Sequence, residues 1–437
     1  MRLFPLSVAA VALLLAAGFV RGADGFDLPP IEYTATTPVN AVSELQARID
    51  SGKPLTHEET LGYLRAVLAG LDIPVESQAL VFSQTSLQRH VISPETPRAI
   101  YFNDDVYVGY CKNGDVLEIS TADSRLGTVF YTLNQRPAAK PQFTRQTEHC
   151  LQCHHSSRTD GVPGHLVRSL FVGKQGMPIF SGGSYNVDHT TPFKDRWGGW
   201  YVTGTHGEQT HLGNLVLTTS DVPAVVDNVA GQNAKAIPES IDRAAYLSPH
   251  SDIVAHLVLA HQVLVHNRIT KANFTARQAL AADAEMRKIL GEKEDRLLDS
   301  TRRRIANAGE DLVEALLFVE EAPLTAPVEG TSGFRQAFTK RGPRDARGRS
   351  LREFDLKTRI FKYPCSYLIG SESFLKLPTE MLDVVWDRLE AVLIDGEDAK
   401  KYGHLTEDDR RAIVEILRET HPQAAARWRD VSVPPPE

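Results

Sequence analysis

Five consecutive residues, Cys150-Leu151-Gln152-Cys153-His154, constrain this chain more than any other segment does. Two thiols separated by two residues can add across the two vinyl groups of haem, and an imidazole in the next position is then close enough to bind the iron. The motif therefore predicts one covalently attached haem c, with Cys150 and Cys153 as the attachment points and His154 as the proximal axial ligand.

Two other chemistries use a similar cysteine pair. Zinc could be bound by Cys150 and Cys153 together with His154 or His155 and one more ligand, although structural zinc sites usually have a second matched pair, which this sequence lacks. A redox-active dithiol usually lies at the strand-to-helix turn of a βαβ unit, a pattern that this region does not have. Both alternatives stay open, and haem is favoured.

The role of a haem depends on the ligand on its distal side. Methionine or histidine there gives an electron-transfer centre, whereas an open or water-filled side permits chemistry on a small molecule. Met177 is one candidate, because a Met-Pro segment supplies the distal sulfur in small cytochromes c. The histidine candidates are His206, His211 and His261. His206 and His211 are expected to point to opposite faces of an extended chain, so that only one of them could face a given iron.

Positive charge is the second feature that a haem site needs, because the propionates of the haem are carboxylates. Arg196 and the basic loop at residues 335–352 are the candidates in this sequence. The loop could also dock an acidic redox partner, although a solvated surface loop is the simpler interpretation. The expected partners are therefore a redox protein or a small-molecule electron donor or acceptor.

The start of the chain predicts a signal peptide over residues 1–22. Arg2 precedes an uncharged run, and small residues near Gly22 suit cleavage. An uncleaved anchor is the alternative, because a run of about 18 apolar residues is close to the shortest membrane span. Cleavage would give an exported, periplasmic protein with no stable membrane insertion. Haem c is attached after export, so the leader and the cysteine motif support each other.

The other two cysteines are Cys111 and Cys365. An exported chain meets an oxidising compartment, where these residues could form a disulfide. The alternative is that each is a small buried apolar residue. The sequence does not show whether their Cα atoms come within the roughly 7 Å that a disulfide allows.

Composition excludes some classes of function. The chain has 437 residues, of which 42% are hydrophobic and 24% charged, which is typical of a globular protein with a sizeable core. The formal net charge is -7, so no strongly basic surface is expected. Nucleic-acid binding is therefore excluded as the main role.

The spacing of apolar residues predicts an α+β fold that is mainly helical. Residues 23–145 are expected to hold an N-terminal helix, at residues 40–70, and a short β-hairpin region, at residues 99–132. In that region Asn113-Gly114 predicts a tight turn between two strands, because both residue types tolerate positive φ.

The rest of the chain divides into two further regions. Residues 146–221 are rich in Gly, His and aromatic residues, and they predict a loop-rich, cytochrome c-like segment that haem would order. Residues 222–437 predict a helical C-terminal region. Within it, residues 251–270 are apolar almost all round, which indicates a buried helix, and Thr406 with Asp409 predicts a capping box.

Several segments together resemble a known protein family, and they are residues 93–110, 150–154, 196–207 and 363–369. The family consists of exported bacterial proteins described only as cytochrome c domain-containing, and the resemblance spans most of the chain after its leader. It implies covalent haem at Cys150 and Cys153, iron ligation by His154 and electron transfer. It implies no substrate, so a periplasmic haem oxidoreductase acting on a small molecule or a peroxide stays the alternative.

Overall fold

The structure is a computed structural model that describes residues 25–219, 221–224, 226–291 and 296–429. Residues 1–22, for which the sequence predicts a signal peptide or an uncleaved anchor, lie outside the described residues. Among the helices of the described ranges, none is long and apolar enough to cross a membrane.

The largest element of the fold is an antiparallel β-sheet. The strands in chain order are β1 (Ala79–Val81), β2 (Arg98–Phe102), β3 (Val106–Tyr110), β4 (Val116–Asp123), β5 (Gly127–Asn134), β6 (Phe143–Gln146), β7 (Arg168–Leu170), β8 (Ser184–Asn186), β9 (Trp200–Tyr201), β10 (Gly204–Thr205) and β11 (Glu329–Gly330). Seven of them form the main sheet in the order β6-β5-β4-β3-β2-β1-β9, and β7 pairs with β8 and β10 with β11. The predicted turn at Asn113-Gly114 is confirmed between β3 and β4, and Asn113 adopts a φ of 60°.

Helices lie on both faces of this sheet. They are α1 (Ala41–Asp50), α2 (Leu64–Gly70), α3 (Leu151–His154), α4 (Ile253–Leu290), α5 (Asp299–Leu316), α6 (Phe334–Lys340), α7 (Glu372–Leu375), α8 (Thr379–Leu393), α9 (Glu407–Thr420) and α10 (Pro422–Arg427). The predicted buried helix is α4, which begins after Asp252, whose side chain accepts from the N–H groups of Val254 and Ala255. The predicted capping box of Thr406 and Asp409 is present at the start of α9.

The sheet separates two apolar clusters, because side chains alternate between its faces. Val106 and Val108 of β3 belong to the cluster that contains α1 and α2. Tyr107, between them, belongs to the cluster that contains α4 and the C-terminal helices. The candidate site described below lies on the side of the sheet that faces α4.

The prediction of a mainly helical fold, with only a short β-hairpin region and a helical C-terminal half, is wrong. Helices hold 37% of the described residues, and seven strands form one sheet. The three residues of β1 and the two of β9 extend the sheet beyond residues 99–132, and elements this short leave no periodicity in a sequence. Residues 317–333 and 341–371 are mostly irregular, so the C-terminal half is only partly helical.

Candidate functional site

The Cys150–His154 motif forms one helical turn. The N–H groups of Cys153 and His154 both donate to the Cys150 carbonyl, at 3.2 and 3.0 Å. Residues three and four positions apart are neighbours on a helical surface, so this turn brings the two cysteines and the histidine together. Cys150 is half-buried and Cys153 is exposed. Burial raises the pKa of the Cys150 thiol to about 11, so it is protonated at neutral pH.

His154 is held in one tautomer by the backbone. Its Nδ1 lies 2.9 Å from the Gly164 carbonyl oxygen. A carbonyl only accepts hydrogen bonds, so Nδ1 must carry the proton and Nε2 keeps its lone pair. Burial lowers the pKa of His154, which favours this neutral form. Nε2 has no hydrogen-bond partner within the described chain, and metal-binding histidines usually have this arrangement.

The Gly164 carbonyl is positioned by helix α4. The side-chain amide of Asn267 pairs with the backbone of His165, donating to its carbonyl and accepting from its N–H at 2.9 Å each. Gly164 has no space for a side chain here, because a Cβ atom would lie 2.4 Å from Asn267 Oδ1. The Gly164 N–H in turn donates to the His154 carbonyl at 2.9 Å. Sequence reasoning missed this support, since no local pattern marks it.

A cleft with a volume of about 110 Å³ lies beside His154. The strand register places one set of its lining residues side by side on the sheet: Ile100, Tyr107, Gly109, Glu118, Ser120, Phe130 and Thr132. Other lining residues include Cys150, His154, His165, Val167, Trp200, Leu259 and Val263. The ring centroids of Phe130 and His154 lie 4.9 Å apart. The cleft is therefore mostly apolar, with a few polar groups.

One ion pair crosses the sheet inside the cleft. Arg98 on β2 and Glu118 on β4 pair at 2.7 Å between Nη2 and Oε2, over Gly109 on the strand between them. A Cβ atom on Gly109 would lie 2.3 Å from Arg98 Nη2, so only glycine leaves room for the guanidinium group. Arg98 Nε is buried and has no partner among the described residues.

His165 is the second histidine of the cleft, and the sequence did not single it out. Its Nε2 lies 3.0 Å from Ser120 Oγ, and its Nδ1 lies 3.2 Å from Thr128 Oγ1. Burial holds the pKa of His165 well below its usual range, so the ring is neutral. Both ring nitrogens are thus engaged by hydroxyl groups. All fifteen histidines lie within the described ranges, and none of the other thirteen lines this cleft.

The predicted distal ligands do not reach the cleft. Met177 is 56% exposed, in a turn where its carbonyl accepts from Gly173. His206 and His211 are buried together elsewhere, with ring centroids 4.7 Å apart. The expectation that they point apart is wrong, because the chain reverses at Gly207, which has a φ of 64°, rather than staying extended. The Gly213 N–H donates to His211 Nδ1 at 3.0 Å.

Both ring nitrogens of His261 are hydrogen-bonded inside the helical core. Its Nδ1 lies 2.9 Å from His189 Nδ1 and its Nε2 lies 2.9 Å from Ser366 Oγ. Its ring stacks on Phe318 with 4.0 Å between centroids. His261 is therefore a structural core residue in this fold.

The arginines proposed for the propionates also lie outside the cleft. Arg196 is 1% exposed, and its guanidinium donates to the carbonyls of Thr191 and His189 at 2.7 and 3.0 Å. No residue of the loop at 335–352 lines the cleft, and Arg352 pairs with Asp104. Arg98 is the arginine that the cleft contains.

The possible disulfide between Cys111 and Cys365 is not formed. Both residues are buried free thiols, whose pKa values burial raises to about 12. Cys111 follows β3 near the turn to β4, whereas Cys365 belongs to the apolar cluster around α4 and the C-terminal helices. They lie in different parts of the core, and each has the role of a small apolar side chain.

The alternatives for the cysteine pair gain no support. Across the described ranges, no group of three or more His, Cys, Asp or Glu side chains is placed to hold a metal ion. Cys150 and Cys153 are free thiols that begin and end a single helical turn, and no parallel strand pair flanks them. A haem iron needs only one of these side chains as a protein ligand. The absence of a three-residue cluster therefore does not argue against haem binding.

The residues that are present fit a covalent haem. The cleft offers one thiol and the Nε2 lone pair of His154, and Arg98 supplies a buried Nε donor that has no acceptor among the described residues. No protein-family model, curated protein or solved structure matches this chain.

Proposed function

We propose that this chain is an exported electron-transfer protein that carries one covalent haem c. Cys150 and Cys153 would be the attachment points, and His154 would be the proximal ligand of the iron. When bound, a c-type haem supplies a one-electron redox couple. The observation that carries the proposal is the hydrogen bond from His154 Nδ1 to the Gly164 carbonyl, which leaves the Nε2 lone pair available beside the cleft.

The residues around His154 have separate roles in this proposal. The Gly164 carbonyl fixes the ring tautomer and makes Nε2 a stronger donor to a metal. Phe130 packs against the imidazole ring, within a mostly apolar lining. Cys153 is exposed, so this attachment point lies at the surface, where a redox protein or a small electron donor or acceptor can approach.

A second candidate is oxidoreductase chemistry on a small molecule or a peroxide. The observation that favours it is that His165 is the other histidine of the cleft, and the Ser120 and Thr128 hydroxyls engage both of its nitrogens. A distal side without a protein ligand would be open to a small molecule. Tyr107, Ser120 and His165 would then be the polar groups that meet it.

Optical spectra of the full chain, expressed with a c-type maturation system, test both candidates. We expect a c-type spectrum that His154→Ala alters and His155→Ala, at the adjacent histidine, leaves unchanged. A reduced spectrum that is insensitive to CO supports electron transfer through a six-coordinate haem. Rapid CO binding supports the second candidate. A spectrum equally unaffected by both substitutions would contradict the assignment of His154.

A further inference from the structure

Arg98 is held in the cleft by the absence of a side chain at Gly109. A Cβ atom at that position would lie 2.3 Å from Arg98 Nη2 and 2.6 Å from Nε. The guanidinium group therefore lies across β3, directly against the glycine. Gly109 lies on β3, which pairs with β2 on one side and with β4 on the other.

The hydrogen bonds of Arg98 are incomplete. Nη2 pairs with Glu118 Oε2, and the two side chains are 20% and 15% exposed. Nε is buried and has no acceptor in the described part of the chain. Native proteins rarely leave such a donor unpaired, because an unmet buried donor costs about 1–3 kcal/mol. An acceptor from a bound molecule would satisfy it.

We propose that Arg98 binds a carboxylate of the molecule that occupies the cleft. This inference rests on the proposed function, in which that carboxylate is a propionate of the haem. The planar guanidinium group suits carboxylates because its donors lie in a fixed fork. Glu118 already occupies one side of the fork and leaves Nε for the second carboxylate. Arg98 is thus a positioning residue for the haem.

The competing interpretation is that Arg98 and Glu118 form an ion pair that only stabilises the sheet. The two interpretations differ in their effect on the hydrogen bonds of the haem propionates. If the pair is only structural, replacing Arg98 changes stability and leaves the hydrogen bonds of the propionates unchanged. If Arg98 binds a propionate, the same replacement removes a hydrogen bond from the haem and also a positive charge beside it.

Resonance Raman spectroscopy of the holoprotein, in the propionate-bending region, tests the inference together with the midpoint potential. We expect Arg98→Gln to shift the propionate band and to lower the midpoint, because loss of a nearby positive charge stabilises the oxidised form. Glu118→Gln should raise the midpoint. Arg359→Gln is the matched control, since Arg359 is 25% exposed, pairs with Asp409 at 2.6 Å and does not line the cleft.

Two further variants keep the test decisive. Arg98→Lys retains the positive charge but lacks the Nε donor. It should therefore shift the propionate band while the midpoint potential stays near that of the wild type. If Arg98→Gln does not fold, this variant tests whether Arg98 binds the propionate. Gly109→Ala should displace the guanidinium group and shift the band as Arg98→Gln does. The inference is overturned if the propionate band stays at its wild-type position in the Arg98 variants, as it should in Arg359→Gln. Wild-type protein without haem c refutes the proposed function itself.

Discussion

Asn267 holds the backbone of His165 on both of its polar groups, with 2.9 Å from Nδ2 to the His165 carbonyl and 2.9 Å from the His165 N–H to Oδ1. Gly164 directly precedes His165, and its carbonyl orients the ring of His154. A side chain on helix α4 therefore determines the geometry of the candidate iron ligand, through a contact between residues 102 positions apart.

Replacing Asn267 by Ala should destabilise the protein and disturb the haem ligation. The substitution leaves two buried backbone groups of His165 without partners, at a cost of about 1–3 kcal/mol each. It also frees the Gly164 carbonyl to move away from His154. We expect a lower melting temperature together with an altered spectrum of the haem-bearing protein.

Asn214 provides a matched control for this prediction. Its amide pairs with the backbone of Val202 in the same way, with both distances at 2.8 Å, and it does not line the cleft. Asn214 has a φ of 65°, so Ala there should cost at least as much stability. Asn214→Ala should lower the melting temperature and leave the spectrum intact. An equal spectral change in both variants would show that the Asn267 effect is global.

Acid should destabilise the fold through its buried histidines. Burial lowers the pKa of His211 to about 3 and that of His256 to about 4, from 6.5. Between about pH 6.5 and pH 4 the unfolded chain therefore binds protons that the folded chain does not, and stability falls as the pH falls. For His211 the loss by pH 4.5 is about 2–3 kcal/mol.

The pH dependence of unfolding in His211→Asn checks this prediction. Asn keeps an acceptor for the Gly213 N–H and removes the titrating ring. Urea unfolding at pH 7 and pH 4.5 should show a smaller loss of stability than in the wild type. His90→Asn, at an exposed position, is the control and should show the wild-type loss. A His211 variant that loses as much stability as the wild type would contradict the prediction.

Thiol counting tests the state of all four cysteines. Haem-bearing protein prepared without reductant should show no reactive thiol when folded, because Cys111 and Cys365 are buried and protonated. In denaturant it should show two thiols per chain. No thiol in denaturant would indicate a disulfide, and four would indicate that no haem is attached.

Substitution of the predicted distal ligands should leave the haem unaffected. Met177→Leu and His261→Gln change side chains that lie away from the cleft, so the oxidised and reduced spectra should match those of the wild type. If the reduced haem binds CO, as the second candidate requires, His165→Gln should change the rate of binding, because His165 lines the cleft. A lost or shifted low-spin spectrum in Met177→Leu would restore Met177 as the distal ligand.

How much the sequence predicts depends on how local each feature is. The Asn113-Gly114 hairpin turn and the capping box of Thr406 with Asp409 follow from neighbouring residues, and the sequence predicts both. Arg98 and Glu118 meet across three strands, and Asn267 reaches His165 from a distant helix, so their pairing depends on the register of the sheet and the packing of α4. The second histidine that lines the cleft is His165, which no sequence motif marks.

The covalent attachment of haem is the most direct test of the central claim. The full chain, expressed with a c-type maturation system, should be denatured and analysed by its pyridine haemochrome spectrum and by intact mass, beside Cys150→Ala and Cys153→Ala. We predict a c-type spectrum, a mass increased by one haem, and an altered attachment in each cysteine variant. A polypeptide of unmodified mass, or a haem that separates on denaturation, would contradict the claim that Cys150 and Cys153 carry a haem.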